Sequence, residues 1–268
     1  MMRVQGVRLG VAAVAAVLVL VSAGCTGSGG GGGGPTGAPT NDIARVLGGD
    51  TAKPDPGGGT PAEPPSSAPP AEDIPRGSEA IELAHGLPLA PADWGPKYQR
   101  QDGYEDASLT RRTLGADCKA FEDGDEPGAI AAMTRYTHVP DTAGGTQIYA
   151  VSGATAYDSV ARAEAAMEST RADAERCPAR TLGSGERLTS LSATDLEVPD
   201  ADELIVVEAT WVDARGDRSA PYVLVYARLG SVLVATLAVD LAAKSAETTQ
   251  DLAFHGAATM LVNLKARL

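Results

Sequence analysis

Three thiols, three imidazoles and a small set of tyrosines are the groups through which this 268-residue chain could do chemistry. Cys25, Cys118 and Cys177 are far apart, with no C-x-x-C among them, so covalent modification or bridging suits them better than redox exchange or metal binding. His85, His138 and His255 are scattered without the spacing that seats a metal ion. No G-x-S-x-G, H-E-x-x-H, phosphate-binding loop or dinucleotide fingerprint occurs, so the chain is expected to have no catalytic residues, no metal and no cofactor. The acidic runs Glu122-Asp123-Gly124-Asp125-Glu126 and Asp200-Ala201-Asp202-Glu203 would suit a hard cation by charge. Neither follows the calcium-loop order of alternating ligands and a distant bidentate Glu, so both read as solvated loops.

The candidate binding residues are Tyr222, Tyr226 and Arg228, which alternate along one β-prone run, with Tyr136 and Tyr149 contributed by two earlier runs. With only eleven aromatic residues in the chain, tyrosines beside an arginine suit a groove for a polar, aromatic or anionic ligand. The plainer alternative, in which Tyr bodies cover a sheet and their hydroxyls reach water, fits the same pattern. Trp211 shares a face with Ile205, Val207 and Ala209 and reads as core, and His255 as a boundary residue.

The elements that must position these groups follow from periodicity. Ala131 to Val139 and Thr146 to Gly153 read as strands joined by a turn-rich loop at 140–145. A helix then runs to Pro178, with Thr155 as its cap and Asp158 three residues on. Its apolar stripe is Val160, Ala163, Met167, Thr170, Ala174 and Cys177, with Asp173 off it. Strands are expected at Leu204 to Val212, Tyr222 to Leu229 and Val232 to Val239. The Gly230-Ser231 turn sets a register that pairs Leu229 with Val232 and Val225 with Thr236. Both faces of the last two runs are apolar, so they are central strands covered on both sides. A terminal helix from about Ala246 to Leu268 presents Phe254, Ala257, Leu261, Leu264 and Leu268. The fold class is therefore α+β: an antiparallel sheet of about five to six strands with two main helices packed on it.

Residues 1–24 have a charged start, a short apolar run and a small-residue end, the pattern of an export signal. Residues 25–77 are rich in Gly, Pro, Ser and Ala and are expected to form a disordered tether with a coil dimension of roughly 40 Å. Residues 78–268 suit one domain with a full core. Within the signal, Ser22-Ala23-Gly24-Cys25 resembles the lipobox of bacterial lipoproteins, although Ser22 stands where that family usually has Leu. The resemblance implies cleavage before Cys25 and a diacylglyceryl anchor on its sulfur; two acyl chains hold stably where one is marginal. Cys118 and Cys177 then remain as an even pair in an oxidising compartment and read as one disulfide, with two free buried thiols as the alternative.

The order of these features is similar to the extracellular sensor domain of mycobacterial serine/threonine protein kinase H and to related actinobacterial lipoproteins. The shared features are Cys118 before two strands, an Ala-rich helix ending in Arg176-Cys177, then three strands and a helix. The likeness covers about Leu83 to Leu268 and implies a helix-flanked antiparallel sheet with a ligand-binding cleft. The family often has two disulfides and a Trp shortly before the helix-ending cysteine; here there is one possible pair, and Asp173-Ala174 occupies that stretch. With no kinase or transmembrane segment in the chain, a sensing role would need a partner.

The formal charge of −13 becomes −15 when Arg3 and Arg8 leave with the signal, which disfavours nucleic acid as a partner. The expected protein is a monomeric, non-catalytic lipoprotein on the extracytoplasmic face of the cell membrane, binding a small ligand or an envelope protein. The alternative is a cell-envelope enzyme whose site is assembled from dispersed acids.

Overall fold

Apolar residues on both faces of a strand demand cover on both faces, and the two central strands receive it. A computed structural model describes residues 77–142, 145–243 and 245–268. The signal, Cys25 and nearly all of the tether lie outside the described residues. In chain order the elements are α1 (Ser78–Gly86), α2 (Pro91–Trp94), β1 (Gln99–Asp106), β2 (Thr110–Leu114), β3 (Ala120–Asp125), β4 (Ala129–Pro140), β5 (Thr146–Tyr157) and α3 (Val160–Arg176). They continue with β6 (Arg180–Thr181), β7 (Arg187–Asp195), β8 (Glu203–Val212), β9 (Ser219–Leu229), β10 (Val232–Asp240) and α4 (Ala246–Lys265).

Eight strands form one antiparallel sheet in the order β1-β4-β5-β10-β9-β8-β7-β6, while β2 and β3 pair as a separate hairpin. The sheet is thus larger than the five to six strands expected, and three main helices pack on it rather than two. The additional helix is α1, which buries Ala80, Leu83 and Ala84. The β9–β10 register is the one that a two-residue Gly230-Ser231 turn dictates, with Leu229 opposite Val232, Val225 opposite Thr236 and Gly230 at φ +58°.

One face of the sheet, carrying Val223, Val225, Ala227, Val234 and Ala238, packs under α1, α2 and α4. The Thr236 hydroxyl donates to the Ala253 carbonyl of α4 at 2.7 Å, so that face also fixes the helix by a buried hydrogen bond. The other face, carrying Tyr222, Leu224, Tyr226, Leu233, Ala235 and Leu237, packs under α3, where Ala163, Ala166, Met167 and Ala174 meet it. Trp211 joins this second core with Ile205 and Val207.

Three local readings change. The cap of α3 is Ser159, whose Oγ accepts from the Arg162 N–H at 3.4 Å, whereas Thr155 belongs to β5, which runs four residues beyond Gly153. Asp173 is buried on the inner side of α3 and pairs with Arg176 at 2.6 Å. The helix α4 ends at Lys265, leaving Leu268 exposed.

A cleft between the central sheet, α3 and the β2–β3 hairpin

A row of small side chains opens a gap between the second face and its cover. Across four neighbouring strands the registered residues are Thr134, Gly153, Ala235 and Tyr226. The adjoining row contributes Ala132, Thr155 and Leu233. A methyl group or a hydrogen at the middle positions cannot reach α3, whose Ala166 and Thr170 form one wall. The opposite wall is the β2–β3 hairpin, with Thr110, Arg112 and Glu122, continued by Asp106 and Ser108. The cavity is about 60 Å³, room for a few waters or one small polar group, and it is partly open to solvent.

The hairpin wall is tied down at two ends. At one end Cys118 and Cys177 form a disulfide joining its tip to the end of α3. Arg176 donates to the Leu114 carbonyl at 3.1 Å and the Gly115 carbonyl at 3.0 Å, and the Thr181 N–H donates to the Cys118 carbonyl at 3.1 Å. At the other end the Glu126 N–H donates to the Leu109 carbonyl at 2.8 Å. Arg111 pairs with Asp123, and Arg112 lies 3.7 Å from Glu122, so residues 122–125 of the acidic run are solvated as expected but lie in strand β3 rather than in a loop.

Burial keeps the phenols of the site neutral. It pushes the Tyr226 hydroxyl up to about 12 and the Tyr136 hydroxyl above its ordinary range, with Asp106 adding to the latter. Neutral phenols can both donate and accept. Tyr136 and Tyr226 therefore offer hydrogen bonds to whatever enters.

Of the residues singled out by sequence, Tyr136 and Tyr226 line this cleft and the other three do not. Tyr222 is 2% exposed beneath α3. Tyr149 lies further along β5, opposite His138 and Val239. Arg228 is turned into an ionic cluster, donating to Glu203 at 2.8 Å, Asp202 at 3.3 Å and the Gly230 carbonyl at 3.0 Å. Glu203 also accepts from Arg171 at 2.8 Å, so the acidic run at 200–203 holds α3 against the sheet instead of standing free in solvent. Alternation placed Tyr222, Tyr226 and Arg228 on one face correctly; the helix crossing that face decides which of them remains reachable.

Sequence reasoning missed Thr134, Gly153, Thr155, Thr170, Arg112 and Glu122. One signal was available. Gly153 interrupts a β-prone run, and an isolated strand glycine marks close approach or an unfilled position. Among the described residues no group of three or more His, Cys, Asp or Glu could hold a metal ion, and no helix is long and apolar enough to cross a membrane.

Glu126 stands beside this wall with its carboxyl buried, Oε2 without a hydrogen-bond partner and Arg111 nearby. Burial, only partly countered by Arg111, pushes it up to about 7. A carboxyl raised in the folded state binds its proton more tightly there than in the unfolded chain, so stability is full at low pH and falls as pH rises from about 4.5 through about 7. Glu126→Gln is expected to stabilise the protein at pH 8 by about 2 kcal/mol, allowing for solvent screening at the hairpin edge, and to make no difference at pH 4. Urea unfolding at the two pH values measures this; an equal effect at both would show that the carboxyl is not the titrating group.

No family model matches the chain, and no curated protein is similar to it. Among solved structures it is similar to the extracellular domain of PknH from Mycobacterium tuberculosis, at 14% identity and a TM-score of 0.47 over 70% of this chain and 97% of that one. It is also similar to an uncharacterised protein of Mycobacterium smegmatis, the Rv0999 ortholog, at 13% identity and a TM-score of 0.33 over 68% of this chain and 98% of that one.

Proposed function

We propose that this chain is a non-catalytic, extracytoplasmic lipoprotein whose single α+β domain binds a small polar ligand in the cleft, in the manner of a sensor module. The observation that carries it is the registered row Thr134, Gly153, Ala235 and Tyr226. This row leaves a gap beneath α3, with neutral phenols and hydroxyls aligned along it. The membrane is reached through acyl chains on Cys25, the signal being removed, and an envelope protein is the partner that would carry the bound state further. The formal charge of −13 supports the exclusion of nucleic acid.

Two measurements test it. Intact mass of the protein from detergent-solubilised membranes is expected to show loss of residues 1–24 and a diacylglyceryl group on Cys25. The chain from Thr26 onward, which carries neither signal nor anchor, should show saturable NMR shifts, confined to the cleft row, on titration with a small-molecule extract of the cell envelope. An unacylated Cys25 would remove the anchor, and an extract that leaves the cleft resonances unmoved would remove the binding role.

A further inference from the structure

Arg180 carries a buried charge that the fold answers only in part. It sits on the two-residue edge strand β6, opposite Leu188, and is 5% exposed. Its Nε and Nη1 are buried and donate to no protein acceptor. Burial holds its pKa below the usual arginine range, yet a guanidinium stays protonated inside proteins, so the charge persists. The groups within electrostatic reach are Tyr222, Tyr226, Asp173 and Arg176. Asp173 is the single carboxylate among them and is already held by Arg176 at 2.6 Å. Two guanidiniums therefore share one carboxylate, Arg176 from a half-exposed position, and the Nε and Nη1 donors of Arg180 are left unanswered in a low-dielectric interior, where unpaired polar groups are strongly unfavourable.

Arg180 is not itself among the residues that line the cavity, and Tyr226 is the lining residue within its electrostatic reach. Its side chain lines the cavity, opposite Ala235 and Gly153 in the registered row, and it interacts with Arg180 as well as with Asp173 and Glu126. A charged donor with unused N–H groups beside a neutral phenol matches an oxyanion: planar or tetrahedral oxygens accept from a guanidinium in paired fashion, and the phenol adds a third donor. The acidic surface as a whole repels anions, so selection for one has to be made locally, by buried donors of this kind.

We propose that the inner end of the cleft receives the oxyanion group of a small ligand, a carboxylate or phosphate, on the Arg180 guanidinium with the Tyr226 phenol as a further donor. The proposal rests on the cleft being the binding site. It is tested on the chain from Thr26 onward, by NMR observation of the Arg180 Nε–H and the cleft row during titration with acetate, inorganic phosphate and the neutral acetamide. Acetate or phosphate should move both sets of signals saturably while acetamide does not. Arg180→Lys, which keeps charge but loses the fork, should weaken the effect about tenfold or more. Tyr226→Phe, which keeps the ring and its packing, should weaken it several-fold, so the outcome does not depend on one variant folding.

Equal response to acetamide, or wild-type response in both variants, overturns the oxyanion. If the envelope extract moves the cleft row and neither acetate nor phosphate does, the cleft reading stands and the oxyanion falls. If neither extract nor anions move it, both fall.

Discussion

Replacing Cys118 and Cys177 together by serine will lower the unfolding free energy by about 4 kcal/mol, the loop-closure value for the 59-residue separation of the pair. For a domain of this size that is a fall in Tm of roughly 8 to 16 °C. The effect should be reproduced by reductant on the wild type and absent when reductant is added to the variant. Its consequence for the cleft is specific, because the bridge joins the tip of the hairpin wall to the end of α3, and α3 forms the facing wall. The remaining ties at that end are Arg176 to the Leu114 and Gly115 carbonyls and the Thr181–Cys118 hydrogen bond, each worth about 1 kcal/mol, or somewhat more where the donor is charged. Amide exchange along 110–125 should therefore rise in the variant more than exchange in β9 or β10. A loss below about 1 kcal/mol in thermal or urea unfolding would show that the hairpin is held by other contacts.

Trp94→Ala should cost about 3 to 5 kcal/mol, the usual penalty for truncating a buried aromatic. Trp94 lies in the first core against α4, and a methyl group at Gly256 would come 2.5 Å from its Cη2, 2.8 Å from its Cζ3 and 3.0 Å from Thr236 Cγ2. Helix propensity alone would make Gly256→Ala stabilising by about 1 kcal/mol. The clash outweighs this, and a loss of about 1 to 3 kcal/mol is expected instead. In the Trp94→Ala background the methyl has space, and Gly256→Ala should turn neutral or favourable, so the double-mutant cycle gives a coupling well above the error of urea unfolding. Simple additivity would mean that Trp94 and Gly256 do not share the contact described.

Much of the central sheet could be read from residues alone because its rules are local. Gly230-Ser231 admits one register, and Val223, Val225 and Ala227 against Tyr222, Leu224 and Tyr226 announce a strand covered on both sides. The disulfide followed from an even count of thiols left in a chain whose start reads as an export signal. The missing elements are those whose pattern is not apolar. β1 and β3 are mostly polar and exposed, and β2 is polar at four of its five positions, so no alternation marks them. β7 does carry Leu188 and Leu191, but three residues apart. A bulge between Thr189 and Ser192, with Ser190 at φ +54°, breaks the period of two.

The cleft escaped for a different reason. A groove is made of what is absent, here the side-chain bulk at Gly153, Ala235 and Ala166, whereas pattern reading counts what is present. Arg180 escaped too, since nothing in Pro178-Ala179-Arg180-Thr181 distinguishes a buried guanidinium from a surface one.

The two borders of the eight-stranded sheet have a further consequence. One border is β1, lined with Arg100, Asp102, Glu105 and Asp106, and the other is β6, only two residues long. Exposed backbone along a strand is a template on which a second molecule can zip, and charge or brevity blunts that template. Copies crowded side by side on a surface would meet at charged or interrupted rims, which works against their polymerising into fibres.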